Sequence, residues 1–158
     1  MAKEFLYGIK EPSEIPEVAE KALDDFIQIT KKLKIPACLA YGLCLGFVRD
    51  GGHIPGDNDL DVVAITETNW LTPDLEEALV GSGFKRGYAF AATKNIHFYR
   101  DNILLDIFFR KPGEYYAKFD TVTYKGKEYA VPHPVEDYLK ACYTNWRIKT
   151  DEAGKAGV

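Results

Sequence analysis

The sequence predicts one mixed α/β (α+β) domain, in which a mixed β-sheet carries flanking helices. Two observations lead to this prediction. Amphipathic helical patterns alternate with short apolar segments in the first half of the chain, and a run of strand-like segments fills the second half. The order is therefore α-β-α-β-α, then several strands, then a last helix. The predicted domain covers residues 1–150, and the small polar residues 151–158 are expected to form a flexible tail.

The first half supplies three helices and two strands. Apolar residues recur at three- and four-residue steps over Ile15–Leu33, and Pro36 prevents this helix from continuing. Thr72 and Pro73 are a favourable helix start, as a cap residue followed by proline. The predicted elements are a helix over Ile15–Leu33, a strand over Ala37–Tyr41, a short helix over Leu43–Arg49, a strand over Leu60–Ile65 and a helix from Thr72 to Val80.

The second half is dominated by β-branched and aromatic segments, which favour strands. Glycines at 81, 83 and 126 separate them as turn residues. The predicted strands are Phe84–Ala91, Asn95–Tyr99, Ile103–Phe109, Tyr115–Tyr124 and Glu128–Val131, and a helix over Pro134–Trp146 closes the domain.

Composition excludes several classes of protein. The 158 residues are 46% hydrophobic and 28% charged, as in ordinary globular proteins, and no run of 18 apolar residues could span a membrane. Charged residues near Met1 leave no apolar stretch for a signal peptide, so we expect a cytoplasmic protein. The net charge of −4 disfavours a general nucleic-acid binder. Three cysteines without metal-binding spacing indicate reduced, structural thiols.

Three aspartates stand at alternate positions where the second strand begins. Side chains two residues apart on a strand point to the same face, so Asp59 and Asp61 should converge. Two carboxylates held so close repel each other, and a cation is their natural neutraliser. An all-oxygen site suits Mg²⁺ or Mn²⁺, which proteins often share with substrate phosphates. Asp57, the first of the three, is expected to orient the loop or a metal-bound water.

A further carboxylate, Asp106, lies inside the very apolar segment Ile103–Phe109. A lone aspartate in a core strand is costly to bury without a partner. A metal or a hydrogen-bonded cluster would explain it, so Asp106 is the predicted third member of the site. A purely structural hydrogen-bonded role is the alternative.

The segment before the aspartates is suited to binding an anion. Gly42 ends a strand and opens a helix, so its N–H group and the helix terminus can face a phosphate. Gly46 permits close packing or the close approach of a phosphate, and Arg49 could bind a phosphate with its planar guanidinium. Glycines four apart are a weak signal by themselves, and the acidic residues about a dozen positions later make it specific.

Other interpretations of the same residues explain less of the pattern. An EF-hand loop would need glycine and glutamate where the chain has Val62 and Thr68, so that reading fails. A solvated acidic turn would not explain Asp106. His53, in the glycine loop, and His97, on a strand, are candidates for substrate contact. For His97 a core or surface role is favoured, and contact with a phosphate or the acceptor is the second interpretation. The many tyrosines are expected to pack.

Taken together, these residues resemble the LicD/fukutin family of phosphotransferases, a branch of the nucleotidyltransferase superfamily. Gly42, Gly46 and Arg49 match its glycine-rich first motif, and the Ile-Pro pair with the alternating aspartates matches the second. Asp106 in LLDIFF is similar to its third metal aspartate. The proline-led helix with Tyr143 and Trp146 is similar to an element near the family's C-terminus. The chain departs from the pattern at Leu43 and Gly56, where the family carries a hydroxyl residue and tryptophan.

The resemblance implies a nucleotidyltransferase-like fold and a transferase that depends on Mg²⁺ (or Mn²⁺). Asp59, Asp61 and Asp106 would hold the metal, and Asp106 would help to deprotonate the acceptor. Gly42, Gly46, Arg49, His53, Asp57 and His97 are the implied substrate-binding residues. The transferred phospho-group would resemble phosphocholine or phosphoribitol, leaving a nucleotide-linked donor for a hydroxyl acceptor such as a glycan or small molecule.

Two alternatives stay open at the sequence level. One is transfer of a nucleoside monophosphate from a nucleoside triphosphate to a small molecule, a protein or an RNA end. The other is a catalytically inactive module that binds nucleotide or metal. Product mass distinguishes the first alternative from phospho-group transfer, and the absence of donor consumption would favour the second.

Overall fold

A five-stranded mixed β-sheet with flanking helices forms the body of the protein, which confirms the predicted fold class. The computed structural model describes residues 16–52, 59–149 and 156–157. Within them the helices are α1 (Pro16–Lys32), α2 (Tyr41–Leu45), α3 (Pro73–Gly81) and α4 (Val135–Cys142), and a π-helical turn over Gly46–Asp50 continues α2. The strands are β1 (Ala37–Leu39), β2 (Asp59–Ala64), β3 (Lys85–Phe90), β4 (Asn95–Arg100), β5 (Ile103–Phe109), β6 (Phe119–Tyr124), β7 (Lys127–Pro132), β8 (Asn145–Lys149) and β9 (Ala156–Gly157).

The sheet places β2 and β5 side by side at its centre. Its strand order is β1-β2-β5-β4-β3, and β2 and β5 are the parallel pair, whereas the other neighbours are antiparallel. Hydrophobic runs account for the centre: Leu60 and Val62 on β2 and Leu105 and Ile107 on β5 are buried. Parallel strands of this kind are covered on both faces. The short edge strand β1 and the exposed strand β3 close the two sides.

The two faces of the sheet have different roles. On one face, α1 packs against α3, β2 and β5 and buries Leu23 and Phe26 against the larger core. On the other face, a smaller apolar group with Cys38 and Val63 lies beside α2. The acidic positions of β2 alternate with its core residues, so they lie on this second face. The fold therefore places polar side chains on this face of the sheet, between α2 and β3.

A hairpin of β6 and β7 is fixed to α1 by side-chain hydrogen bonds. The Tyr124 hydroxyl donates to Glu20 and the Tyr129 hydroxyl donates to Asp24, at 2.7 Å and 3.0 Å. Lys127 adds an ion pair with Asp24 at 2.7 Å. At the base of the hairpin, Asp120 accepts hydrogen bonds from His133 and from the first N–H of α4, and the bond from His133 holds the pKa of Asp120 below its usual range. These bonds fix the start of α4.

The predicted C-terminal helix is wrong in its last third. It was expected to run over Pro134–Trp146, but α4 ends at Cys142 and Asn145–Lys149 forms a strand. Tyr143 adopts extended backbone angles (φ −138°, ψ 115°) that end the helix. Two periodicities meet at Trp146: it continues the helical spacing of Tyr138, Leu139 and Tyr143, yet it also alternates with polar neighbours as strand residues do. As a strand residue, Trp146 is buried in the larger core.

Other boundaries shift by smaller amounts. The strand predicted from Tyr115 begins only at Phe119, because Tyr116 is held in a turn by a hydrogen bond from its N–H to the Gly113 carbonyl. Of the predicted tail 151–158, the described part, Ala156–Gly157, pairs with β8. The division into one domain and a flexible tail stays a prediction.

Two further expectations concern thiols and membranes. Cys38, Cys44 and Cys142 are all free, and burial raises the pKa of the Cys38 and Cys44 thiols, so both pack as neutral groups. Among the described residues, no helix has the length and apolar character needed to span a membrane.

Candidate active site

A row of polar side chains crosses three strands, β2, β5 and β4, on the second face of the sheet. Asp61 of β2 is the register partner of Asp106 on β5, and Asp106 is the partner of His97 on β4. Partners in adjacent strands point to the same face, as do residues two apart on one strand. Asp59 therefore lies on the same face as Asp61, one step along β2. The structure brings the three predicted aspartates together on neighbouring strands.

The start of α2 lies directly over this row. The Gly42 N–H donates a hydrogen bond to Oδ2 of Asp61 at 3.2 Å, and the Ala40 N–H donates to the Asp61 carbonyl at 2.9 Å. The glycine turn is thus tied to the carboxylate strand by backbone groups. Gly42 was predicted to aim its N–H at an anion, and in the structure the anion that it contacts is the Asp61 carboxylate.

Asp106 is held by two neighbours on β4. Its Oδ1 atom accepts a hydrogen bond from Nδ2 of Asn95 at 2.8 Å, and its Oδ2 atom lies 3.6 Å from Nε2 of His97. All three side chains are buried, and Asp106 is 9% exposed. The Asn95 amide is itself fixed by a hydrogen bond between its oxygen and the Thr93 hydroxyl. The carboxyl group of Asp106 is therefore preorganised, with Oδ2 on the side of His97.

Strained backbone precedes the glycine turn. Tyr41 has φ of 41°, a left-handed conformation that is rare for a bulky residue and costs about 1–3 kcal/mol. Its N–H donates to the Tyr138 hydroxyl at 2.8 Å, its own hydroxyl accepts from Arg110 at 3.0 Å, and its ring packs 4.7 Å from Phe108. Burial raises the pKa of Tyr138, so its hydroxyl stays neutral and accepts the bond. These contacts hold Gly42 over Asp61.

The Tyr138→Phe variant tests this support. It removes the acceptor for the Tyr41 N–H and leaves a partly buried donor unsatisfied next to a strained residue. We expect the free energy of unfolding to fall by about 1–3 kcal/mol in a urea titration, and the Gly42 amide resonance to shift in a nitrogen–proton spectrum.

Tyr115→Phe is the matched control, since its ring packs 5.5 Å from that of Tyr138 and the change also removes one hydroxyl. An equal, small effect of both variants would show that the Tyr41 hydrogen bond carries no special weight.

The remaining predicted substrate residues have varied positions. Arg49 forms a two-point ion pair with Asp50, at 2.8 Å and 2.9 Å, and lies 3.4 Å from the Trp146 carbonyl. Its side chain is 5% exposed. Gly46 is buried, and its carbonyl accepts the N–H of Gly52 at 3.2 Å as the π-helical turn closes. The phosphate-binding roles of Arg49 and Gly46 stay predictions. His53 and Asp57 lie outside the described residues.

Sequence reasoning missed several residues that shape the site. Asn95, which holds Asp106, is two positions before His97 on the same strand face, and this spacing was the available signal. Arg110 follows β5 directly and connects Tyr41 to the Thr93 carbonyl, which its guanidinium contacts at 3.1 Å. No sequence signal predicted the contact between Tyr41 and Tyr138, because it joins residues 97 positions apart.

The donor set fits the Mg²⁺ that the family resemblance implies. The groups are carboxylates on one sheet face, and Asp61 and Asp106 are direct register partners. Within residues 16–52, 59–149 and 156–157, no three Asp, Glu, His or Cys side chains form a ready-made metal cage. Mg²⁺ seldom uses such a cage: one or two carboxylates, waters and substrate phosphates are its usual ligands. The site thus has the right atoms for an ion shared with a substrate.

Solved structures with the same fold include those of LnuA and ANT(2'')-Ia. A structure described as the lincosamide antibiotic adenylyltransferase LnuA, lincomycin-bound, matches with a TM-score of 0.60 and 14% identity, over 85% of this chain and 90% of that one. A solution structure of the antibiotic-resistance factor ANT(2'')-Ia matches with a TM-score of 0.57 and 12% identity, over 75% of this chain and 66% of that one. ANT(2'')-Ia in complex with adenylyl-2''-tobramycin matches with a TM-score of 0.54 and 12% identity, over 77% and 74%.

These likenesses concern the fold, and a family model identifies the group. The chain spans slightly less than two thirds of the first ANT(2'')-Ia structure. No curated protein sequence shows significant similarity to this chain. Residues 34–133, well over half of the chain and including β2, β4 and β5, match the family model described as LicD/FKTN/FKRP, nucleotidyltransferase domain. The chain therefore belongs to the LicD/FKTN/FKRP nucleotidyltransferase-domain family.

Proposed function

We propose that this protein is a Mg²⁺-dependent enzyme that transfers a phospho-group from a nucleotide-linked donor to a hydroxyl acceptor. The observation that carries the proposal is the in-register pair Asp61 and Asp106, with Asp59 on the same face and the Gly42 turn beside them. Membership of a nucleotidyltransferase-domain family supports phosphorus chemistry at this row. The family resemblance favours a CDP-linked donor such as CDP-choline or CDP-ribitol, and a glycan or small molecule as acceptor.

In the proposed reaction the acceptor oxygen attacks the donor phosphorus. A new P–O bond forms to the acceptor, the P–O bond to the nucleotide breaks, and the nucleotide leaves with the electron pair. Asp59 and Asp61 would hold the Mg²⁺, and Asp106 would be a third oxygen donor. The bound ion supplies charge screening for the phosphates in the transition state. Gly42 keeps the Asp61 carboxylate oriented, because its N–H holds Oδ2.

The acceptor proton goes to Asp106 in this scheme. Asn95 occupies Oδ1 of Asp106, which leaves Oδ2 as the atom that takes the proton. His97, 3.6 Å from Oδ2, is placed to contact the acceptor or to position the carboxyl group. A base must lie within hydrogen-bond reach of the proton that it removes, and the surface beside Oδ2 is where the acceptor hydroxyl would lie.

Donor binding can be tested without knowledge of the acceptor. Thermal unfolding is followed with CTP, ATP, GTP, UTP, CDP-choline and CDP-ribitol, each with Mg²⁺ and with EDTA. A ligand at about 100 times its dissociation constant stabilises the native state by about 2.7 kcal/mol, which is about 5–10 °C for a chain of this size. We expect the CDP-linked donors to raise the melting temperature in Mg²⁺ and not in EDTA. If none of the six raises it, the proposal fails.

The released nucleotide then decides between the reactions. Phospho-group transfer or hydrolysis of CDP-choline releases CMP, whereas nucleoside monophosphate transfer from CTP or ATP releases pyrophosphate. We expect CMP. Pyrophosphate would favour nucleotidyl transfer, the type of reaction that the description of the fold neighbour LnuA as an adenylyltransferase names for that protein. Nucleotide binding without consumption of any donor would favour an inactive binding module.

A further inference from the structure

Two exposed aromatic side chains stand on the edge strand β3. Tyr88 is 56% exposed and Phe90 is 39% exposed, and their ring centroids are 6.4 Å apart. Every residue of β3 except Gly87 is exposed, whereas the central strands are buried. Aromatic rings left in water on an edge strand give up the stability that burial would provide. The exposed pair is therefore a candidate binding surface.

The aromatic pair is continuous with the carboxylate row. Phe90 is the register partner of Asn95, so it lies on the face that carries Asp106. Its ring centroid is 4.8 Å from that of His97, and His97 is the partner of Asp106. Neighbouring strands are about 4.8 Å apart, so β3 lies about 10 Å from β5. The aromatic rings thus form the outer end of the row.

The position relative to Asp106 indicates which substrate meets them. In the proposed reaction the donor phosphates would lie with the Mg²⁺ at Asp59 and Asp61, over β2, and the acceptor hydroxyl would lie at Oδ2 of Asp106. The body of the acceptor must then extend away from the donor, across β4 and towards β3. A span of about 10 Å fits one or two rings beyond the hydroxyl.

We propose that Tyr88 and Phe90 form the acceptor subsite and bind a ring-containing alcohol by stacking against its ring. This assignment rests on the proposed function, because the direction of the acceptor follows from the role of Asp106. Flat aromatic faces select ring faces over flexible chains, and the carboxylates nearby disfavour an anionic acceptor. His97 bridges the two parts, with its ring on Phe90 and its Nε2 atom facing Asp106.

The test uses phenyl β-glucoside as the ring-containing probe and glycerol as an alcohol without a ring. Each is titrated into protein with carbon-13-labelled phenylalanine and tyrosine rings, in the presence of Mg²⁺ and CDP-choline. We expect phenyl β-glucoside to shift the ring signals of Phe90 and glycerol not to do so. Loss of a stacking ring weakens binding by about tenfold, so Phe90→Ala and Tyr88→Ala should each raise the dissociation constant by about that factor.

Val80→Ala is the matched control, since Val80 is an exposed apolar residue (52%) on α3. This helix packs with α1 on the opposite face of the sheet from the aspartates. Thermal shifts by CDP-choline and Mg²⁺ should be the same in all these variants as in the wild type. If Phe90→Ala no longer bound CDP-choline, the rings would be the subsite for the cytosine base, and the assignment would be overturned. Unchanged probe binding in the variants, together with a smaller oligomer than the wild type forms, would overturn the assignment in favour of a protein partner.

Failure of this inference is distinguishable from failure of the proposed function. If CDP-choline raises the melting temperature and the ring signals do not respond to phenyl β-glucoside, the acceptor subsite falls and the proposed function stands. If no nucleotide raises the melting temperature of the wild type, the proposed function falls and the subsite falls with it.

Discussion

The Asp59→Asn/Asp61→Asn variant is expected to turn over the donor at least about a thousandfold more slowly than the wild type while it keeps its fold. A metal ion supplies several kcal/mol of charge stabilisation to a phosphoryl-transfer transition state, and each 1.36 kcal/mol is a factor of ten in rate. Asparagine keeps the shape of aspartate, and its amide oxygen can still accept the Gly42 N–H that now binds Oδ2 of Asp61. Removing two neighbouring negative charges also relieves repulsion in the apo protein.

Release of CMP from CDP-choline at saturating Mg²⁺ is the measurement, with circular dichroism and urea unfolding as checks of the fold. Asp137→Asn is the control, since Asp137 is an exposed acid on α4. Turnover in the double variant equal to that of the wild type, with Mg²⁺ or with EDTA, would rule out the proposed metal carboxylates.

Asp106 is expected to matter for both activity and stability, and two substitutions separate these effects. Asp106→Ala leaves the Asn95 amide without its acceptor at a buried position, which costs about 1–3 kcal/mol of unfolding free energy. Asp106→Asn keeps an oxygen for Asn95, so its stability should stay close to that of the wild type. In the proposed mechanism both variants lose the carboxylate that would take the acceptor proton and bind the metal, so both should lose about a thousandfold of turnover or more.

Urea unfolding and CMP release on the same samples give the two readouts. Asp101→Asn is the control: Asp101 is exposed, lies in the turn between β4 and β5, and has a left-handed backbone (φ 55°) that asparagine tolerates. If Asp106→Asn kept full turnover, Asp106 would have only the structural hydrogen-bonded role.

The sequence predicted the sheet face of the aspartates because that information is local. Alternation along Asp59–Ala64 places Asp59 and Asp61 on one face, and the cost of an isolated charge in Ile103–Phe109 singled out Asp106. The sequence could not supply the register between these strands, because that depends on how β5 aligns with β2. The structure resolves that register as Asp61 opposite Asp106.

Support from distant residues lay beyond sequence reasoning. The strained Tyr41 is held by Tyr138 and Arg110, which are 97 and 69 positions away in the chain. A positive φ at tyrosine has no sequence signature, whereas glycine itself indicates where such a conformation can occur. The aromatic residues of β3 indicate only strand propensity in the sequence, because their exposure follows from the edge position of that strand.

The last element of the fold shows where two patterns compete. Helical spacing and strand alternation both run through Trp146, and neither outweighs the other within the sequence. Packing of the indole against the larger core, together with pairing of β8 with β9, is what the structure adds. Tertiary contacts therefore override a local pattern at this point.

The central claim is that nucleotide binding depends on a divalent ion held by these carboxylates. The most direct test is the affinity for CDP-choline, measured by titration calorimetry with Mg²⁺ and with EDTA, in the wild type and in Asp59→Asn/Asp61→Asn. We expect Mg²⁺ to strengthen binding at least about tenfold in the wild type, a coupling of about 1.4 kcal/mol, and to have no effect in the variant. Equal affinities under all four conditions would contradict the account.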